Sequence, residues 1–290
     1  MGIHGLDRCE ASECYNRLMG IPKDFQALSD QELEGQATDL RNNGQITDAI
    51  AEYKELVKRF EAQGNAKRAA NMQHMIGVSY KIANKTEASL AALANAKQRY
   101  EQANDGVGVG RVLRDEGITY QYVHDFDHAL PLLEESVDVL GGTDDFAELG
   151  ISHSKLGNLY MEQGNLAEAE TWLVSGLEIL ENKADHWFYT ATTHLHIAEL
   201  HLKRHEDDEA LEEINRAEKA FLNHGGDASN ARRLAQIEAL KTITFLELGD
   251  RDQARQHKDH CEELLGKLDD ASAKYLKEKP EFKKILEYKF

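Results

Sequence analysis

The chain has 290 residues, 41% of them apolar, and a formal charge of -18 from 52 acidic and 34 basic side chains. That charge repels a phosphate backbone, so nucleic acid is excluded as a default partner. The three cysteines, Cys9, Cys14 and Cys261, are too few and too scattered for a disulfide framework in a chain of this length, which points to a reducing compartment, the cytoplasm.

The amino terminus, MGIHGLDRCE, shows no charged segment followed by an apolar one, and no stretch of about 20 apolar residues follows anywhere. Neither secretion nor a membrane partner is expected. Gly2 is not a myristoylation signal, because Leu6 stands where that motif needs Ser or Thr. Leu6 to Met19 reads as a short amphipathic helix stopped by Gly20 and Pro22, which predicts an N-terminal capping helix within residues 1–28. His4, Cys9 and Cys14 do not share one helical face and form no Cys-x-x-Cys, so they carry no metal assignment.

From there a spacing pattern recurs. A small residue, an aromatic or apolar residue three positions later and an Ala about nine beyond that appear as Ala37/Leu40/Ala49, Gly77/Tyr80/Ala88, Gly117/Tyr120/Ala129, Gly157/Tyr160/Ala169, Ala198/His201/Ala210 and Thr242/Phe245/Ala254. The first residues of the copies are 40, 40, 40, 41 and 44 positions apart, a period that belongs to stacked helical hairpins. In the fourth copy the pattern predicts a helix over His153–Gln163, a turn at Gly164-Asn165 and a second helix over Ala167–Leu180. Gly44 and Gly249 mark equivalent turns, His124-Asp125 and His205-Glu206 replace them in the third and fifth copies, and Asp125 is a predicted N-cap. Gly77, Gly117 and Gly157 fall inside helices, where glycine costs about 0.5–1 kcal/mol relative to alanine. Close approach of the paired helix, through Ala88, Ala129 and Ala169, offsets that cost. Pro131 falls inside the second helix of copy three and predicts a kink unless that helix starts late.

This pattern resembles the tetratricopeptide repeat in its longer class of about 40 residues, and Gln63 to Ala69 resembles the loop between repeats of that class. Pins-type adaptors, kinesin light chains and Rap-type or MalT-like regulators belong to it. The resemblance implies an all-α fold: a right-handed superhelical solenoid of about six helical hairpins with terminal capping helices. The array would occupy residues 29–269 and a C-terminal capping or docking helix residues 270–290. Two departures stand out: the Trp usual near the start of the first helix is absent, and His201 replaces Tyr in the fifth copy.

In that family the first helices line a concave groove, so the resemblance implies groove positions here. They are Asn71, His74, Val78 and Lys81; Arg111, Arg114, Ile118, Gln121 and Tyr122; Lys155, Asn158, Met161 and Glu162; and Thr192, Leu195, His196 and Glu199. Asn71, His74, Arg111, Arg114, Gln121, Lys155, Asn158, Thr192 and His196 are the candidate ligand-binding set. Arg111, Arg114 and Lys155 form a basic cluster in an acidic chain, and guanidinium forks bind carboxylates, so the expected partner is an acidic protein or peptide segment. On the alternative reading the arginines pair with Asp105, Asp115 or Glu116 on a solvated face. Only Arg114, Lys155 and Asn158 echo the carboxylate clamp of chaperone-binding members. The Asn ladder of Pins-type adaptors is missing, its places held by Gly35, Met75, Asp115, Lys155, His196 and Leu240.

Chemistry was sought among the histidines. His194, His201 and His205 fall on roughly one helical face, with His186 and His196 nearby, but there is no His-Glu-x-x-His. His257, His260 and Cys261 form a second cluster lacking a fourth ligand. Gly106-Val107-Gly108-Val109-Gly110 has neither the preceding strand nor the Lys-Ser/Thr of a phosphate loop, and is expected to be an inter-repeat loop. No nucleophile and base can be nominated, no metal site is assigned and no cofactor is implied. The sequence therefore predicts a non-enzymatic adaptor. The alternatives are a peptide-sensing receptor, in which a peptide shifts superhelix curvature, or a homo-oligomeric scaffold joined through the C-terminal helix, where Tyr275, Leu276, Phe282, Ile285, Leu286 and Phe290 are apolar.

Overall fold

The computed structural model describes residues 25–224, 227–268 and 270–289. The predicted N-terminal helix, with His4, Cys9 and Cys14, lies outside them, as do Phe290 and the side chain of Tyr275. Helices pair in chain order: α1 (Asp30–Asn42) with α2 (Ile46–Ala62), α3 (Ala66–Ile82) with α4 (Thr86–Gln102), and α5 (Gly106–Tyr122) with α6 (Phe126–Gly141). The pairs α7 (Phe146–Glu162) with α8 (Leu166–Ile179), α9 (Trp187–Arg204) with α10 (Asp207–His224), and α11 (Asp227–Glu247) with α12 (Arg251–Gly266) follow. Two short helices, α13 (Asp270–Lys277) and α14 (Pro280–Glu287), close the array.

One three-residue turn does most of the joining. Its central residue is left-handed, supplied by Gly44, Gly64, Gly164 and Gly249 and also by Asn84, Asn104, His124 and His205. The next residue's N–H reaches back to close the helix: Asp125 to the Tyr120 carbonyl at 3.0 Å, Asn165 to that of Tyr160 at 2.9 Å, Asp250 to that of Phe245 at 2.9 Å. The same residue then caps the following helix, Asp125 accepting from the His128 N–H and Asn165 from that of Glu168. The recurring aromatic thus marks where the closing bond lands. Between α8 and α9 the turn is replaced by a π-helical stretch, Leu180–Ala184, and a left-handed Asp185 at φ 46°. The fourth-copy helices begin earlier than the spacing predicts, at Phe146 and Leu166, because Asp145 and Asn165 cap them.

Within each hairpin the glycines admit the partner helix. A Cβ at Gly157 would stand 2.7 Å from Leu173 Cγ and 3.0 Å from the Ala169 carbonyl oxygen, and one at Gly117 2.8 Å from Leu133 Cγ. In the second copy the close partner is Ser89 rather than Ala88: it is fully buried and donates to the Gly77 carbonyl at 2.9 Å. The Gly106–Gly110 run is a correction. It forms the first turns of α5 instead of a loop, Gly108 and Gly110 making room for Tyr100 and Leu140. Pro131 sits inside α6, which runs on to Gly141. Leu276, Phe282 and Ile285 are buried in one core with Leu240, Cys261 and Leu264, so these apolar tail residues pack inside the chain.

The first helices α3, α5, α7 and α9 each pack against the next first helix, whereas no second helix approaches its counterpart as closely among the described residues. Layers whose neighbours touch lie on the inside of a curve. The first helices therefore form the inner face of a helical solenoid.

Candidate binding groove

Along α5, α7 and α9 three positions per two turns stay partly open. Counted from the repeat's small residue they fall two before, one after and five after: Asp115, Ile118 and Tyr122 on α5; Lys155, Asn158 and Glu162 on α7; His196, Glu199 and Lys203 on α9. This spacing of three and four makes one stripe per helix, and the stripes abut. Of the candidate set, Lys155, Asn158 and His196 lie on it.

The others are displaced from it. His74, Arg114, Gln121 and Thr192 are buried between elements, along with Met161 and Leu195. Thr192 donates to the Phe188 carbonyl of its own helix at 2.8 Å. Asn71 accepts from the Tyr100 hydroxyl at 2.6 Å, and Gln121 donates to Asn158 at 2.8 Å. His74, Arg114 and Gln121 sit where one first helix meets the next, a contact that spacing along a single helix does not reveal, while Asn71 faces α4.

The arginines also differ from expectation. Arg114 reaches a Glu148 carboxylate oxygen at 2.6 Å, and Arg111 Nε lies 3.2 Å from the other oxygen. Their shared partner comes from α7, not from Asp105, Asp115 or Glu116; Asp105 instead pairs with Lys67. Asp115 is bracketed by Lys81 and by His74 Nε2 at 2.8 Å. Burial opposes ionisation of Asp115, but Lys81 and His74 outweigh it and hold the carboxyl well below the usual range. Burial also lowers the His74 pKa against the pull of Asp115. A neutral His74 then donates its Nε2 hydrogen to the carboxylate, leaving Nδ1 as a buried acceptor without a partner.

The next stretch of the stripe has another character. Burial, reinforced by Arg233, Arg114, Lys81 and Lys279, lowers the Lys155 pKa to about 7. His196, 3.2 Å from the Ser154 hydroxyl through Nδ1, is held well below its ordinary pKa by burial and then by Lys155. Glu199 accepts from Gln236 at 3.1 Å, yet burial and Glu281 push its carboxyl up to about 7. Near neutrality this region carries an ammonium and a carboxyl that each give up their charge readily.

The histidines do not converge. His194 bonds Glu213 at 2.5 Å, His201 bonds Glu206 at 2.7 Å, and His205 is the left-handed residue ending α9. His257 and His260 both turn to Glu238, at 2.6 and 3.0 Å. Cys261 is buried against the Ala235 carbonyl, and burial pushes its thiol up to about 12. Among the described residues no group of three His, Cys, Asp or Glu side chains is placed to hold a metal ion, and no helix is long and apolar enough to cross a membrane.

Residues 148–223, spanning α7 to α10, match a family model described as Tetratricopeptide repeat. No curated protein matches the chain by sequence. Among solved structures, a Rap protein complexed with Competence and Sporulation Factor superposes with a TM-score of 0.67 at 14% identity, over 95% of this chain and 77% of that one. The apo form of RapI gives 0.64 at 15% identity, over 82% and 85%. BtubC from P. vanneervenii gives 0.62 at 11% identity, over 82% and 92%. At such identities the likeness is one of fold.

Proposed function

We propose that the chain, whose residues 148–223 match the Tetratricopeptide repeat model within an array of like hairpins, is a non-enzymatic adaptor holding a peptide or protein segment along its inner stripe. The observation carrying this reading is the unbroken run of half-open side chains across α5, α7 and α9, apolar at Ile118 and Tyr122 and polar from Lys155 to Glu199. Apolar side chains supply affinity and polar ones direct the backbone, while a surface fixed by helix packing loses little entropy on binding. Three first helices at a spacing of about 9 Å span roughly 18 Å, the reach of about five extended residues. In this reading residues 29–269 carry the groove and residues 270–290 close its end. The structure of a Rap protein with Competence and Sporulation Factor gives the same kind of scaffold a bound partner.

The test is selection of displayed random dodecapeptides on the full chain, on Asn158→Trp, which fills the stripe, and on Val174→Trp, which alters an exposed site on α8. Wild type and Val174→Trp are expected to capture the same sequences, and Asn158→Trp to lose them by about tenfold or more with its circular dichroism unchanged. Equal capture by Asn158→Trp, or none by wild type, would overturn the reading.

A further inference from the structure

Where α8 hands over to α9, the π-helical Leu180–Ala184 and the left-handed Asp185 border a recess of about 350 Å³. Such π-helical turns are rare and fall disproportionately at functional sites. Leu180, Trp187 of α9 and Ala220 of α10 supply its apolar lining, and Glu181, Asp185 and His186 its polar one. The indole of Trp187 is fixed in place, stacked on His224 with ring centroids 4.5 Å apart and meeting Phe221 edge-on. On α9 the lining residues Trp187 and His194 fall on the side opposite His196, so the recess is separate from the inner stripe.

The cations around this recess are engaged. Arg216 bonds Glu212 at 2.5 Å and Glu213 at 2.8 Å, and Lys183 of the π-helical stretch turns its ammonium to the ring of Phe146. The acceptors are not. Among the described residues the Asp185 carboxylate has no hydrogen bond or ion pair, and Glu181 has only His194 Nε2 at 3.5 Å. His186 Nδ1 is buried with no hydrogen-bond partner. We propose that the recess binds a primary ammonium carried on a short apolar stem. A primary ammonium has three donors and no acceptor, which matches two carboxylates and, with His186 protonated on Nε2, one imidazole nitrogen. The stem has Trp187, Leu180 and Ala220 to lie against, and an indole also favours a cation beside it. An anion drawn to the start of α9, which no side chain caps, would meet Glu181 and Asp185 at the same place. The volume is at the small end for ligand pockets, enough for a short amine or one lysine side chain and too little for an extended peptide.

Trp187 supplies the readout. The chain has two tryptophans, and Trp172→Phe leaves Trp187 as the sole indole. The full chain carrying that change is titrated at constant ionic strength and pH 7 with pentylamine, pentanoate and pentanol, one stem with three heads, while indole fluorescence is followed. Pentylamine is expected to give a saturable change with a Kd on the order of millimolar, at least about tenfold tighter than the other two. Glu181→Gln with Asp185→Asn is expected to weaken it by about tenfold. Asp208→Asn with Glu209→Gln, which removes two exposed charges of α10 away from the recess, is expected to leave it unchanged. Asparagine tolerates the left-handed backbone of Asp185, so the first pair of changes keeps the fold, and circular dichroism checks this.

A second amine probe, Nα-acetyl-lysine methylamide, tells the two sources of the ammonium apart. Binding as tight as that of pentylamine assigns the recess to a lysine side chain of a partner, and binding about tenfold weaker or less assigns it to a free small amine. Preference for pentanoate would overturn the ammonium site, as would a pentylamine titration that does not saturate, or one that the Glu181→Gln and Asp185→Asn pair leaves unaltered. None of these outcomes depends on peptide capture along the inner stripe.

Discussion

Two stretches of one inner face, built on the same repeat, treat charge in opposite ways. From α3 to α5 and the start of α7, Lys81, Arg111 and Arg114 are each answered by a carboxylate of a neighbouring helix, Lys81 by Asp115, which neutral His74 also bonds, and Arg111 and Arg114 by Glu148. From Lys155 to Glu199, no such closure occurs among the described residues. Lys155 faces like charges, and Glu199 is held by an amide. The first stretch is therefore cement between repeats, and the second carries Lys155 and Glu199 outside any such ion pair. Basic composition alone does not distinguish them; the availability of a counter-ion does.

The comparison breaks most severely where both stretches depend on hairpin packing. Gly157→Leu forces a side chain into Leu173 and the α8 backbone, and is expected to remove about 3 kcal/mol or more, read as a lower urea midpoint. An unchanged midpoint would contradict the packing of the fourth hairpin. Glu148→Ala tests the cement, since it strands Arg114 with less than a tenth of its side chain exposed. The expected loss is about 2 kcal/mol by the same measurement, because an uncompensated charge is left behind.

Smaller effects sharpen the other stretch. The Lys155 pKa is about 7 when folded and ordinary when unfolded, so between these values the unfolded chain binds more protons and stability rises with pH. The melting temperature of Lys155→Met is therefore expected to exceed that of wild type by most below pH 7, the difference shrinking as pH rises toward the ordinary lysine value. Glu199 has the opposite sign: its folded pKa, also about 7, lies above the unfolded one, so its ionisation penalises the folded state increasingly from about pH 4.5 up to 7. Glu199→Gln should gain on wild type over that rise and match it at pH 4. Differences that ran parallel with pH in the two variants would refute the contrast.

The hairpins were legible because their signals are local. Gly117, Tyr120 and Ala129 lie within one hairpin, and the turn residues His124 and Asp125 act on the helices they join. The open stripe of the inner face was legible only in part. Lys155, Asn158 and His196 were placed on the stripe, but His74, Arg114, Gln121 and Thr192 were not. Which face of a first helix meets the next depends on the rotation between repeats, a quantity no single repeat encodes. The Arg111 and Arg114 partner was missed for the same reason: Glu148 is a whole repeat away, whereas Asp115 and Glu116 are merely adjacent in sequence. Likewise the glycines of Gly106–Gly110 suggest a loop in the sequence, whereas in the fold Tyr100 and Leu140 fill the space left by Gly108 and Gly110.

The bonds that cross from one inner helix to the next have a final consequence, for how the array comes apart. His74 to Asp115, Arg114 to Glu148, Gln121 to Asn158, Ser154 to His196 and Gln236 to Glu199 span 34 to 42 residues each and leave no junction from α3 to α11 unlinked. In a nearest-neighbour description of a linear array, such links enlarge the coupling between adjacent units relative to the stability of each unit. Fraying one hairpin would strip its neighbour of a bonded partner and pass the damage along, so the chain should melt as a zipper with few populated breaks, and a truncation made between α6 and α7 should weaken both pieces beyond the hairpins it removes.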